Sequence, residues 1–122
     1  VSIENLSILV VEDNDINMEV IEFMLQSEGA IVYKARNGKE AVEQFGQIKN
    51  LDLILMDLMM PIMDGYEATL QIRKKDKKIP ILAMSANAYM QDIQKCYKAG
   101  MNGHISKPLY LEDLKDQIIQ IL

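Results

Sequence analysis

The sequence predicts an α/β fold in which a doubly wound, five-stranded parallel sheet is covered by helices on both faces. Two observations support this prediction. Short apolar runs alternate with amphipathic stretches five times along the 122 residues, and five βα units in series favour a parallel sheet between two helical layers. The apolar runs are continuous rather than interrupted by polar residues, which is typical of strands buried on both faces.

The individual elements follow from hydrophobic periodicity and from helix end signals. We predict strands at residues 7–11, 30–35, 53–56, 80–84 and 103–106. We predict helices at residues 15–27, 37–45, 65–75, 88–99 and 111–122. Asn37 can cap the second helix, Gly29 suits the position after the first helix, and Gly100 suits the end of the fourth. The sequence contains no linker or internal repeat, so we expect one domain over residues 1–122.

The composition argues against several classes of function. A net charge of −5 disfavours direct binding of nucleic acid, because such proteins usually carry a basic patch. The longest apolar runs are too short to span a bilayer, so we expect no membrane insertion by this segment. The single cysteine, Cys96, cannot form an internal disulfide and fits a reducing, cytoplasmic compartment. Because the chain begins with Val1, we expect it to be a segment of a longer protein.

Polar residues follow the ends of four predicted strands. Glu12 and Asp13 follow the first strand, Asp57 the third, Ser85 the fourth and Lys107 the fifth. In open parallel sheets, ligands bind beyond the carboxyl ends of the strands, where the strand order reverses. Three carboxylates in one cleft suit a hard cation, Mg²⁺ above all, with Mn²⁺ as the alternative. With an ammonium and a hydroxyl beside them, these groups predict a site that holds a phosphoryl group.

Four segments carry a resemblance to a known family. LILMDLMMPIMDG at 53–65 is similar to the phosphoacceptor segment of response-regulator receiver domains. VVEDN at 10–14 resembles the acidic pair of that family, AMSA at 83–86 its hydroxyl-bearing segment, and SKP at 106–108 its lysine–proline segment. All four occur in the family's order, and they are most similar to receivers of hybrid sensor histidine kinases. The resemblance implies a flavodoxin-like fold with strand order 2-1-3-4-5.

The resemblance also implies a phosphoacceptor and a set of metal ligands. Asp57 would accept the phosphoryl group. Asp13 and Asp57 would bind Mg²⁺ through side-chain oxygens, Met59 through its backbone carbonyl, and Glu12 through water. Among the readings of the residues themselves, Glu12 and Asp13 could instead cap the first helix and interact with its dipole, and Asp57 could be a turn residue.

Further roles implied by the resemblance concern the fourth and fifth strands. Ser85 would hydrogen-bond the phosphoryl group, Lys107 would pair with it, and the bond before Pro108 would be cis. His104 stands where the family usually has an aromatic switch residue, so we expect it to move less on phosphorylation than an aromatic ring would, or to move in a pH-dependent way. Its alternative interpretation is a partly buried ring with no such role. Asn87 lies at a position that influences the lifetime of the phosphoryl group in the family.

The function implied by this resemblance is phosphorelay signalling. A phosphohistidine on a histidine kinase or histidine phosphotransfer domain would donate the phosphoryl group in a Mg²⁺-dependent step. The receiver would then switch the face formed by its fourth helix, fifth strand and fifth helix, or pass the group on. The domain would have self-phosphorylation and dephosphorylation chemistry, while a full-length parent would be a hybrid histidine kinase, possessing a cytoplasmic receiver module. The alternative is a stand-alone, single-domain response regulator.

Three other interpretations remain open at this point. A metal-dependent phosphatase of the haloacid dehalogenase type also uses an Asp at a strand end, but it needs a second Asp where Met59 stands. A flavodoxin-like nucleotide-binding module would need a phosphate loop after the first strand, where the acidic residues here would repel phosphate. A receiver used only for docking would not need the complete set of site residues.

The first predicted helix carries more apolar residues than one core-facing side requires. Its polar stripe consists of Asp15, Glu19, Glu22 and Gln26. We predict that the sheet is contacted by Val20, Ile21, Met24 and Leu25. The apolar residues flanking the polar stripe are predicted to dock the phosphodonor domain, and they are Ile16, Met18 and Phe23. The alternative is one wide burial face.

Overall fold

The structure is a computed structural model, and it describes residues 2–86 and 90–122. The strands are β1 (Ser7–Val11), β2 (Ile31–Ala35), β3 (Leu53–Asp57), β4 (Ile81–Ser85) and β5 (Gly103–Ser106). The helices are α1 (Asp15–Ser27), α2 (Gly38–Gln47), α3 (Gly65–Arg73), α4 (Met90–Ala99) and α5 (Leu111–Ile121). None of the helices described here combines the length and the apolar character needed to cross a membrane.

The five strands form one parallel sheet in the order β2-β1-β3-β4-β5, which confirms the predicted topology. β1 pairs with β2 on one side and with β3 on the other. The direction of strand progression therefore reverses between β1 and β3. Beyond the carboxyl ends of such neighbouring strands the connections diverge and leave a crevice, and the sheet thereby positions the candidate site.

The three central strands β1, β3 and β4 bury side chains on both faces of the sheet, which explains why their apolar runs are continuous. The edge strands β2 and β5 are partly exposed, so burial on both faces was not a correct expectation for them. One face packs against α2, α3 and α4, and its core includes Leu9, Val11, Ile54, Met56, Ala83, Ala41, Ile72 and Cys96. The other face packs against α1 and α5, and its core includes Ile8, Val10, Leu53, Leu55, Leu82, Met84, Ile21 and Ile118. The two cores hold the sheet between two helical layers, as predicted.

Several element bounds differ slightly from the predictions. α3 ends at Arg73 rather than at residue 75. β3 and β4 extend through Asp57 and Ser85, so these two site residues are the last residues of their strands rather than the first residues after them. The described part of α4 begins at Met90. The predicted helical residues 88 and 89, and Asn87 with its predicted influence on phosphoryl lifetime, lie outside the described residues.

Side-chain caps fix the starts of the first two helices. Asn14 caps α1 by accepting a hydrogen bond from Asn17 N at 2.9 Å, so neither Glu12 nor Asp13 serves as the N-cap. Asn37 caps α2, as predicted, and accepts from Glu40 N at 2.9 Å. These caps satisfy backbone donors that the first helical turn leaves unpaired.

The prediction that Met18 lies on a docking surface is wrong. Met18 is only 1% exposed and packs in the core between α1 and the sheet, together with Ile21 and Leu25. Val20, which we predicted to face the sheet, is 51% exposed. The helix buries positions i, i+3 and i+7 beginning at Met18, a spacing that defines one face of an α-helix. Ile16, Val20 and Phe23 therefore form a separate, exposed apolar stripe.

Candidate functional site

The end of β1 supplies two carboxylates with different surroundings. Glu12 is 1% exposed, and its backbone N–H donates to Ala35 O at 3.0 Å. Its Oε2 accepts a hydrogen bond from Asn14 N at 3.1 Å. Asp13, the next residue, is exposed. Glu12 is thus fixed through both its backbone and its carboxylate, while its neighbour Asp13 faces the open crevice.

The end of β3 supplies Asp57, which is 5% exposed. The backbone of α3 begins close to it, because Gly65 N donates to Leu58 O at 2.9 Å. A side chain at position 65 would overlap the carbonyl oxygen of Asp57. Gly65 is therefore required for the close approach of α3 to the candidate phosphoacceptor. Gly65 was predicted as a helix start and as the end of the 53–65 segment, and neither prediction included this role.

Lys107 connects the two buried carboxylates. Its Nζ donates to Glu12 Oε1 at 2.6 Å and to Asp57 Oδ2 at 3.3 Å. Its backbone N–H donates to Ser85 O at 2.7 Å, which ties the end of β5 to the end of β4. The Lys107–Pro108 peptide bond is cis, as predicted. The ammonium group thus lies inside the crevice rather than in solvent.

Burial and neighbouring charges shift the pKa values of Asp57 and Glu12 in opposite directions. Burial, followed by the negative charge of Glu12, raises the pKa of Asp57 to about 7. Burial also acts to raise the pKa of Glu12, but hydrogen bonds from Lys107 and from Asn14 N outweigh it and leave that pKa lowered. Burial opposes the ammonium form of Lys107, whereas Glu12 and Asp57 stabilise it more strongly and raise its pKa. Near pH 7, Glu12 is therefore the carboxylate paired with Lys107.

The donor set of the crevice fits a hard divalent cation. Glu12, Asp13 and Asp57 each place a carboxylate oxygen within 4.8 Å of the other two. Carboxylate and carbonyl oxygens suit Mg²⁺, and a divalent cation would offset the repulsion between these groups. Met59 also lines this crevice, which has a volume of about 480 Å³. Met59 is 75% exposed.

Ser85 ends β4 and lines the same crevice. Its Oγ lies 2.8 Å from Nε2 of His104 on the neighbouring strand β5. Burial lowers the pKa of His104, and the charge of Asp92 opposes this effect. The ring is consequently neutral near pH 7. His104 is thus connected to the crevice through its contact with the hydroxyl group of Ser85.

Two further residues of the crevice come from helices and were not among the predicted site residues. Tyr66 on α3 and Asp92 on α4 both line it. Lys95 lies over the Tyr66 ring, with Nζ at 4.3 Å from the ring centroid. Neither residue follows a strand end, so the strand-end rule gave no signal for them.

The predicted docking residues that remain exposed lie on α1, outside the crevice. Ile16 and Phe23 are 72% and 74% exposed. Val20 from the same stripe lines a cavity of about 330 Å³ next to the crevice, and Glu12, Lys107 and Pro108 line that cavity as well. The exposed stripe of α1 therefore adjoins the candidate site on the side of the β5–α5 connection.

Comparison with known sequences identifies the family. The family model described as response regulator receiver domain matches residues 8–119. Hybrid signal transduction histidine kinase B of Dictyostelium discoideum is 40% identical over 126 residues, covering 93% of this chain and 6% of the kinase. Hybrid signal transduction histidine kinase L of the same organism is 36% identical over 118 residues, covering 91% of this chain and 7% of that kinase. The chain thus spans a small fraction of these relatives.

Solved structures agree with the sequence comparison. One similar structure is the receiver domain of a sensor histidine kinase from Pseudomonas aeruginosa, with a magnesium ion coordinated in its active site cleft. It has 39% sequence identity and a TM-score of 0.87, and the match covers 96% of this chain and 97% of that one. A co-crystal of a Saccharomyces cerevisiae histidine phosphotransfer protein with the receiver domain of its downstream response regulator matches with 30% identity and a TM-score of 0.89, covering 100% of this chain and 95% of that one. The chain belongs to the response regulator receiver domain family of two-component phosphorelay proteins.

Proposed function

We propose that Asp57 accepts a phosphoryl group from a phosphohistidine on a partner domain. The observation that carries this proposal is the position of the Asp57 carboxylate. It lies at the end of β3, with Lys107 Nζ at 3.3 Å and the carboxylates of Glu12 and Asp13 beside it. This arrangement gives one nucleophilic oxygen a surrounding of groups that bind cations and phosphoryl oxygens.

In the proposed transfer, an Asp57 carboxylate oxygen attacks the phosphorus atom of the donor phosphohistidine. A P–O bond forms to Asp57 and the P–N bond breaks, and its electron pair stays on the leaving imidazole nitrogen. The product is an acyl phosphate on Asp57. Lys107 neutralises charge on the phosphoryl oxygens, and the Ser85 hydroxyl donates to one of them. Positioning and charge neutralisation are the main requirements of such transfers.

We propose Mg²⁺ as the cofactor, with Mn²⁺ as a substitute. Side-chain oxygens of Asp13 and Asp57, the backbone carbonyl of Met59 and, through water, Glu12 would hold it. A bound divalent cation neutralises negative charge on the carboxylates and on the transferred group. Because these residues would supply only part of the oxygen ligands that Mg²⁺ takes, water would supply the others and the affinity would be modest. The magnesium ion in the cleft of the Pseudomonas aeruginosa receiver supports this proposal.

We propose a histidine phosphotransfer domain or a histidine kinase domain as the partner. The receiver that was co-crystallised with a phosphotransfer protein supports this choice. The exposed apolar stripe of α1, at Ile16, Val20 and Phe23, adjoins the crevice and would dock the donor. We further propose that residues 1–122 are one receiver domain and that it is the cytoplasmic module of a hybrid histidine kinase, because the hybrid kinases it matches are far longer than this chain.

A small phosphodonor such as acetyl phosphate tests the chemistry without a partner protein. With Mg²⁺, it should label the wild-type chain as an acid-stable, base-labile acyl phosphate. Asp57→Asn should abolish labelling, and Lys107→Ala should slow it. Lys115→Ala is a matched control. Lys115 lies outside the crevice, and its Nζ pairs with Glu28 Oε1 at a distance of 2.6 Å. Full labelling of Asp57→Asn would contradict the proposal.

A further inference from the structure

A basic segment lies at the end of the domain away from the crevice. Residues 73–78, RKKDKK, contain five basic side chains and one acidic side chain, a formal charge of +4, whereas the whole chain carries −5. The rest of the chain therefore carries −9. The segment connects α3 with the first residue of β4, Ile81, while the last residue of β4, Ser85, lines the crevice. The basic segment and the crevice thus lie at opposite edges of the sheet.

Four exposed lysines of this segment form what we call the lysine patch, namely Lys74, Lys75, Lys77 and Lys78. The ion pairs in the described part of the chain use other basic residues, which are Lys34, Arg36, Lys107 and Lys115. A cation at the end of a helix interacts favourably with the helix dipole, which accounts for Lys74, the C-cap of α3. Lys77 and Lys78 lie beyond the last turn, where this effect has fallen off. Stabilisation of α3 therefore does not explain the whole patch.

Hydrogen bonds fix the backbone that carries the lysine patch. Asp76 Oδ1 accepts from Lys78 N at 2.7 Å and from Ile79 N at 3.0 Å. Arg73 donates from Nη1 to Asp76 O at 3.1 Å and from Nε to Gly100 O at 2.9 Å, which ties the segment to the connection between α4 and β5. The ammonium groups thus extend from an ordered backbone. Binding a partner there would cost less conformational entropy than binding to a disordered basic tail.

An apolar side chain adjoins the lysine patch. Leu70 on α3 is 46% exposed, and it lines an open groove of about 590 Å³ together with Lys74 and Lys77. A complementary ligand would carry carboxylates for the ammonium groups and an apolar side chain for Leu70. Extended polyanions such as a membrane surface or a nucleic acid would also meet the −9 on the rest of the chain. A short acidic segment contacts the patch alone, so charge complementarity favours it.

We propose that the lysine patch and Leu70 form a docking surface for an acidic protein segment that carries an apolar side chain. Electrostatic attraction brings the segment to the patch and weakens as salt is added, while Leu70 provides an apolar contact. Because the patch and the crevice lie at opposite edges of the sheet, such a segment can stay bound while a phosphodonor reaches Asp57. The surface therefore acts independently of the proposed phosphotransfer.

A short fluorescein-labelled peptide of glutamate and leucine, titrated with the intact domain, tests the charge requirement by fluorescence anisotropy. The triple variant Lys74→Gln/Lys77→Gln/Lys78→Gln should weaken binding about tenfold at low salt, since each exposed ion pair contributes modestly. The control variant makes the same change in net charge at three exposed lysines elsewhere, as Lys39→Gln/Lys49→Gln/Lys98→Gln. It should change binding less than about twofold. Absence of peptide binding, or equal weakening by both variants, would overturn the proposal.

The apolar contact is tested with Leu70→Ser. This variant should weaken binding of the glutamate–leucine peptide about three- to tenfold and leave binding of a glutamate–serine peptide unchanged. Equal effects on the two peptides would overturn the role of Leu70.

Two further measurements test the kind of partner and the independence of the surface. Patch-dependent binding of phosphatidylglycerol vesicles or duplex DNA, without binding of the glutamate–leucine peptide, would assign the patch to another polyanion and overturn the proposal. Labelling of Asp57 by acetyl phosphate should be the same in the lysine-patch variant and in the wild type. Slower labelling of that variant would overturn the separation of the two surfaces.

Discussion

Lys107 lies closer to Glu12 than to Asp57, with Nζ–oxygen distances of 2.6 and 3.3 Å. Because of this asymmetry, the pKa values of the two buried carboxyl groups are shifted in opposite directions. Glu12 keeps its charge because the ammonium and a backbone N–H bind it directly. Asp57, with weaker compensation, has a pKa of about 7, so its charge is costly until a cation is bound. Of the two buried carboxylates, the proposed nucleophile Asp57 is thus the one whose negative charge is less well compensated in the metal-free domain.

The raised pKa of Asp57 predicts how the substitution Asp57→Asn changes stability with pH. Because the pKa of Asp57 is raised from 3.8 to about 7, the folded state binds more protons than the unfolded state between these values. The free energy of unfolding therefore falls as pH rises through this window. Asp57→Asn removes the penalty, so in metal-free buffer it should match the wild type near pH 4 and be more stable by about 2–4 kcal/mol at pH 8.

Glu12→Gln should show the opposite pattern. The lowered pKa of Glu12 means that this group contributes stability above its unfolded value of 4.5, and that the contribution disappears as pH falls. The variant should be less stable than the wild type at pH 8 and approach it in acid. Urea unfolding curves at several pH values measure both differences. A stability change in Asp57→Asn that is the same at pH 4 and pH 8 would contradict the assigned ionisation.

At the scale of single elements, α1 separates a buried face from an exposed one. Met18→Ala should lower the free energy of unfolding by about 2–4 kcal/mol, because Met18 fills the core between α1 and the sheet. Phe23→Ala should change stability by less than about 0.5 kcal/mol, because Phe23 is 74% exposed. Thermal or urea unfolding distinguishes the two.

Phosphotransfer from a protein donor, unlike stability, should depend on the exposed face of α1. Phe23→Ala should slow transfer from a phosphohistidine donor about tenfold and leave labelling by acetyl phosphate unchanged. Tyr97→Ala is a matched control, because Tyr97 is an exposed aromatic residue, at 53%, on α4 in the opposite helical layer. If both variants slow the protein donor equally, the donor does not dock on α1.

The start of α3 depends on one glycine. Gly65→Ala should force the Asp57 carbonyl and α3 apart, with an expected loss of about 1–3 kcal/mol in stability and slower labelling of Asp57. Gly46→Ala is the control, since a side chain there would meet no atom within 4 Å. Alanine in that helical position should stabilise the domain by about 0.5–1 kcal/mol. Wild-type labelling in Gly65→Ala would show that the close approach is not needed.

The elements themselves could be predicted because local signals determine them. Ser7–Val11, Asp15–Ser27 and Gly103–Ser106 have the predicted bounds, since apolar runs and glycines are local features. The orientation of α1 could not be predicted well. Met18, Val20 and Ile21 are all apolar, and only packing against the sheet decides which of them is buried.

At the scale of the whole molecule, the crevice results from strand order. Glu12 and Lys107 are 95 positions apart in sequence, yet the strand-end rule predicted that they meet, because all five strands are parallel. The rule could not predict the Ser85–His104 hydrogen bond or the presence of Tyr66 and Asp92 in the crevice. These depend on side-chain packing between strands and helices that sequence periodicity does not describe.

Cation binding should stabilise the whole fold through linkage. At about 100 times its dissociation constant, Mg²⁺ should raise the free energy of unfolding by about 2.7 kcal/mol. Asp13→Ala should lose most of this gain while remaining folded, because Asp13 is exposed. Thermal melts with and without Mg²⁺ measure the difference. An undiminished Mg²⁺ effect in Asp13→Ala would contradict the proposed ligand set.

Site mapping after transfer from a protein donor tests the central proposal most directly. The domain is mixed with a phosphohistidine-bearing domain and Mg²⁺, the acyl phosphate is trapped by borohydride reduction, and the modified residue is identified by peptide mass spectrometry. The modification should occur at Asp57 alone and be absent without the donor. Modification at Glu12 or Asp13, with Asp57 unmodified, would contradict the account.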